Sequence, residues 1–115
     1  MGAEAVTGLP LAAFIEADID LLPPEQGGRQ SGIWTGYRCN FWIGHVDVKG
    51  ERTYNDATVY LLEADALPPG ATGRARIQPH HPDEWSDVVV GATFELCEGL
   101  RVIGYAHVAS LFPAP

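Results

Sequence analysis

Four side chains able to bind a metal or move a proton fall within five positions: His80, His81, Asp83 and Glu84. A tight zinc site needs three or four ligands converging at about 2 Å, whereas neighbours on an extended chain point to opposite sides. The run therefore reads as a polar connection rather than a ligand set. A second source of chemistry is Cys39 and Cys97, nucleophiles only beside a base such as His45 or His107 and in surroundings that lower the thiol pKa. No Cys-x-x-Cys, nucleophile elbow or paired-carboxylate arrangement supports catalysis. The expectation is no catalytic residue, no metal and no cofactor, with an unrecognised enzyme as the third reading of function.

Residues suited to recognition gather between Gly27 and Gly50, in GGRQSGIWTGYRCNFWIGHVDVKG. Large rings and forked guanidinium groups dominate interface hot spots, and arginine recognises carboxylate or phosphate with two parallel hydrogen bonds. Strand alternation places Phe41 and Ile43 on one face, toward a core, and Asn40 and Trp42 on the other. Trp34 and Trp42 read either as packing or as an interaction patch. Arg29 and Arg38 read first as braces against Glu25, Asp47 or Glu98, and second as contacts for an anionic partner group. The candidate partner-binding surface is Arg29, Trp34, Arg38, Asn40, Trp42 and Lys49.

The elements that must position these residues are bounded by composition. A chain of 115 residues with 46% hydrophobic and 19% charged residues is the size of one domain with one core. The net charge of −8 and a single lysine, Lys49, make nucleic acid a poor default partner, because phosphate binding relies on several cationic side chains. The start lacks a basic segment before its apolar residues and is interrupted by Glu4, Glu16, Asp18 and Asp20, unlike a signal peptide or a membrane span. Val6 stands where a myristoylation start needs Ser or Thr. A cytoplasmic protein without a membrane partner is expected, with Cys39 and Cys97 as free thiols.

Residues 1–11 read as a loosely ordered lead-in and 12–115 as the domain. Ile15, Ala17, Ile19 and Leu21 alternate with Glu16, Asp18 and Asp20, a strand with one wet face, ended by Pro23-Pro24. Trp34 to Ile43 looks extended, with bends or close approaches at Gly32, Gly36 and Gly44. Lys49-Gly50-Glu51 and Tyr54-Asn55-Asp56 read as turns, Thr58 to Leu62 and Arg74 to Ile77 as strands. Phe94 to Cys97 and Val102 to Leu111 form a hairpin through Glu98-Gly99-Leu100-Arg101. The pattern is all-β, and about six or seven strands in one small domain favour a closed barrel that hides their edges, although a sandwich fits the same pattern.

Taken in order, PEQGGRQSGIWTGYRCNFWIGHVDVKG, a Pro-Gly turn, a His-Pro pair and EGLRVIGYAHV resemble the third, C-terminal barrel domain of elongation factor Tu. That domain carries a GGRHTP-type loop, a GYRPQFYF-type strand, a DVTG turn, an IHP segment and a closing REGGRTVGAGVV hairpin. The likeness spans about residues 12–112 and needs no gap from Gly27 to Gly50. It implies a closed six-stranded antiparallel β-barrel of Greek-key type, apart from the family's GTPase, since no G-x-x-x-x-G-K-[ST] loop is present. In the family this domain docks against the GTPase domain and helps hold the T stem of tRNA. Here Cys39 stands for the family's proline, Asn40 for glutamine, Gly44 and Cys97 for arginines, Leu100 for glycine and Lys49 for threonine. The reading is a non-catalytic binding module for another protein or a second copy, possible in translation; a tRNA-binding module using Arg29, Arg38, Lys49 and Arg101 is the alternative.

Overall fold

The computed structural model describes residues 13–113; the expected lead-in lies outside the described residues. Strand β1 (Phe14–Leu21) alternates as its sequence requires, with Ile15, Ala17, Ile19 and Leu21 buried and the acidic residues facing out. It lies between β6 (Thr72–Pro79) and β8 (Arg101–Phe112), antiparallel to both. Around the barrel the order is β1, β6, β4 (Asn55–Leu61), β3 (Tyr37–Trp42), β7 (Thr93–Glu98), β8, closing back on β1. All six pairings are antiparallel. β3, β4 and β6 neighbour one another in chain order while β1 returns beside β6, which is a Greek key. The closed six-stranded antiparallel barrel removes the sandwich from consideration.

Closure bends the longest strand. β8 carries two register shifts, one opposite Glu16/Ala17 and one opposite Leu96/Cys97, and bulges of this kind let a strand turn a barrel corner. The interior is one cluster that includes Ile19, Phe41, Val59, Ile77, Leu96 and Ile103, all fully buried. Trp85, on the 3-10 turn Pro82–Trp85, packs edge-on against Phe41 and Phe94 at centroid distances of 5.5 and 5.8 Å. The polar connection predicted for this stretch thus also supplies a core aromatic. Among the described residues no helix is long and apolar enough to cross a membrane.

Two local expectations are corrected. Tyr54-Asn55-Asp56 is not a turn: Asn55 and Asp56 begin β4 and pair with Phe41 and Asn40, so ladder pairing overrides the turn preference of Asn and Asp. The extended run from Trp34 is two strands. β2 (Ile33–Trp34) pairs with β5 (Ala66–Leu67) in a separate small sheet, and β3 starts after Gly36, which adopts a positive φ of 90°. Gly32 is a close approach, since a Cβ there would lie 2.2 Å from the Leu67 carbonyl oxygen.

Candidate functional site

The outer face of β3 gathers three of the six candidate residues. Phe41 is buried, and Tyr37 and Cys39, at the same parity, pack against the core; Arg38, Asn40 and Trp42 therefore project outward. Register sets Arg38 beside Thr58, Asn40 beside Asp56 and Cys97, and Trp42 beside Glu95. A groove of about 160 Å³ runs along one side of the strand between Arg38, Cys39, Asn40, Asp56 and His80. A second, of about 310 Å³, lies toward β7, where pairing stops at Asn40, and is lined by Tyr37, Arg38, Asn40, Cys97 and Glu98 among others. Arg38 and Asn40 border both.

The charges around this face are mostly matched. Arg29 forms an ion pair with Glu98, lies over the Tyr37 ring at 5.1 Å and reaches the Tyr37 hydroxyl, which donates to the same carboxylate. Arg101 holds the other Glu98 oxygen at 2.8 Å. The predicted brace of Arg29 is thus made, with Glu98 as the partner. Arg52 pairs with Glu95 at 2.7 Å, Arg74 with Glu16 and Asp18 at 3.0 and 2.8 Å, and Arg76 lies 3.9 Å over the Phe14 ring. Arg38 is different: among the described residues it is the one arginine with neither a carboxylate nor an aromatic ring as partner, although Asp56 lines the same groove. The side-chain amide of Asn40 is likewise unpaired.

The remaining candidates sit elsewhere. Trp42 is half-buried; its indole N–H donates to the His45 carbonyl at 2.9 Å and the Arg52 guanidinium lies 3.7 Å above its ring. Its contacts hold the arm that follows β3, where Val46 bridges Arg52 and Asp47 caps the turn by accepting from the Lys49 and Glu51 amides. Lys49 is exposed at the tip of that arm. Trp34, 67% exposed, belongs to the β2–β5 sheet. The structure therefore joins Arg38, Asn40 and Trp42, sets Arg29 at the rim, and leaves Trp34 and Lys49 apart.

The thiols and histidines do not form a pair. Both cysteines are free; burial, together with Cys97 and Asp56, pushes the Cys39 thiol up to about 12, and burial with Glu95 raises Cys97. His45 bonds Asp87 at 3.0 Å, and His107 bonds Asp20 at 2.8 Å and Thr93 at 3.1 Å. Of the His80–Glu84 cluster, His80 bonds Thr58 at 2.8 Å and Glu84 accepts from Asn55 at 2.7 Å, so two of its members turn to different partners. Tyr37, Asp56 and His80 complete the β3 grooves. Tyr37 is the neighbour of Arg38 on β3, whereas Asp56 comes in through the register that sets it opposite Asn40 and His80 from just beyond the end of β6, neither of which is written locally.

No protein-family model matches the chain.

Proposed function

We propose that this chain is a non-catalytic interaction module that docks another protein on the outer face of β3, with Arg38 receiving a carboxylate of the partner. The single observation that carries this reading is the state of Arg38. In a molecule of net charge −8, it projects between two grooves beside Asn40, and among the described residues neither side chain has a partner. A guanidinium beside an amide offers forked donors to a planar carboxylate, and paired arginines nearby supply rigidity rather than further free charge. The resemblance to the third domain of elongation factor Tu supports a docking role, a cytoplasmic setting and a link to translation, since that domain serves its own protein mainly as a docking surface.

The test compares affinity capture by the native chain and by Arg38→Glu, an exposed substitution that should leave thermal stability within about 0.5 kcal/mol. A protein retained by the native chain and lost from the variant is the expected result. Equal retention by both would remove the β3 face from the interaction. Retention of tRNA in place of protein would establish the nucleic-acid reading instead. A concentration-dependent mass in sedimentation, abolished by the same substitution, would make the partner a second copy.

A further inference from the structure

The backbone of β3 has a short edge with no strand beside it. In an antiparallel ladder the N–H and C=O of one residue point to the same side, and alternate residues serve alternate neighbours. The His80 N–H donates to the Asp56 carbonyl at 3.1 Å, so Asp56 faces β6 and the next residue, Ala57, faces β3. Ala57 stands opposite Cys39. Tyr37, Cys39 and Phe41 therefore direct their backbone groups to β4, and Arg38, Asn40 and Trp42 direct theirs toward β7. β7 meets Trp42 at Glu95 and Asn40 at Cys97, where the pairing ends; just beyond, the chain turns through Gly99 and Leu100 into β8. The Arg38 N–H and C=O are left facing the groove of about 310 Å³, and no backbone bond to them is made among the described residues. The Tyr37 hydroxyl and the Arg29 guanidinium both hold the Glu98 carboxylate, tying β3 to β7 past their last backbone pair, so the groove is already formed.

We propose that the Arg38 edge of β3 takes an added antiparallel strand from the partner protein, an extended segment with an acidic residue opposite Arg38. The inference rests on the docking reading of this face and specifies the form of the partner. A strand edge with an unpaired N–H and C=O is a template for an extended chain, and in such additions main-chain bonds supply affinity while alternate side chains supply selectivity. Directly opposed residues of an antiparallel pair put their side chains on the same face, so the residue bonded to the Arg38 backbone sets its own side chain beside the outward Arg38 guanidinium. Charge complementarity makes that residue acidic: Arg38 has no carboxylate partner among the described residues, and an Asp or Glu there completes two parallel N–H···O bonds. Its neighbours turn the other way, toward Tyr37 and Cys39 in the groove lining, where β-branched side chains suit an extended segment. A helix, whose backbone groups bond one another, would leave the Arg38 edge unmatched. A nucleic-acid backbone has no N–H to give the Arg38 carbonyl.

The experiment uses the full native chain and the blocked peptide acetyl-Thr-Val-Glu-Val-Thr-amide as probe. Before the peptide is added, amide hydrogen exchange should find the Arg38 N–H unprotected and the Cys39 N–H, which faces Ala57, protected. On titration, ¹H–¹⁵N NMR should show a saturable shift of the Arg38 backbone amide and its protection from exchange. Glutamine in place of the probe's glutamate should weaken binding about tenfold, through loss of the charge-assisted pair. An N-methyl group on the glutamate nitrogen removes the donor to the Arg38 carbonyl and should weaken binding at least about fivefold. The same group on the second valine, whose N–H points away from β3, should not. The added strand is overturned if the Arg38 N–H is protected in the free chain, if millimolar peptide gives no saturable shift, or if both N-methyl peptides bind like the parent. In the last case a glutamine peptide that still binds more weakly leaves carboxylate docking on Arg38 standing without the strand, so the two readings fail separately.

Discussion

Residue types alone did not decide the reactivity of the two cysteines or the place of Trp42. A thiol pKa near 12 at Cys39 leaves about one molecule in ten thousand as thiolate at pH 8, against a quarter or so for an ordinary thiol. Iodoacetamide at pH 8 should therefore leave Cys39 unmodified in the folded chain over hours and alkylate it promptly in denaturant, as peptide mass mapping would show. Rapid labelling of Cys39 in the native protein would refute the burial that raises its pKa. Trp42 calls for a different measurement. Half burial of its ring and one indole hydrogen bond predict a loss of about 1–2 kcal/mol for Trp42→Ala in urea unfolding. A loss of 3–5 kcal/mol, the scale for a core aromatic, would make it packing alone and remove it from the candidate surface.

At the level of elements, the legible parts were those governed by local chemistry. The two-residue period of β1, the Pro23-Pro24 stop and the β7–β8 hairpin are each written within a dozen residues. What escaped depends on distant partners. Asn55 joins a strand because Phe41 lies opposite it, Trp85 enters the core from a polar stretch with no period, and Arg29 finds Glu98 from 69 residues away. β1 shows how such distant ties respond to pH. Asp20 accepts from Thr72 on β6 and from His107 on β8, and the Thr72 bond first, then His107, holds its carboxyl below the ordinary 3.8. A depressed pKa contributes stability above the unfolded value that disappears as pH falls through the folded one. Asp20→Asn should therefore be less stable than the native chain at pH 7, with the gap closing below about pH 4 as both states become protonated. A gap of the same size at pH 2.5 and pH 7, by urea unfolding, would show that the Asp20 charge plays no part in joining the three strands.

Across the whole molecule, the distribution of positive charge sets what each partner class would have to bind. The chain has seven cationic residues. Arg29 and Arg101 share Glu98, Arg52 is held by Glu95, and Arg74 by Glu16 and Asp18. Arg38, Lys49 and, over a ring rather than a carboxylate, Arg76 remain for phosphate. They project from β3, from the arm and from β6, not along one stripe, and each must work against a net charge of −8. Counterion release scales with the number of phosphates neutralised, so any tRNA binding should show a log–log salt slope no steeper than about −3. Affinity that weak should not survive physiological salt, whereas a carboxylate docked on Arg38 in a partly desolvated groove would respond to salt only modestly. Filter binding of tRNA from low to moderate ionic strength measures the slope directly. A slope steeper than about −5 takes about six neutralised phosphates, so both Glu98 and Glu95 would have to release their arginines on binding, and the protein-docking reading would give way to the RNA one.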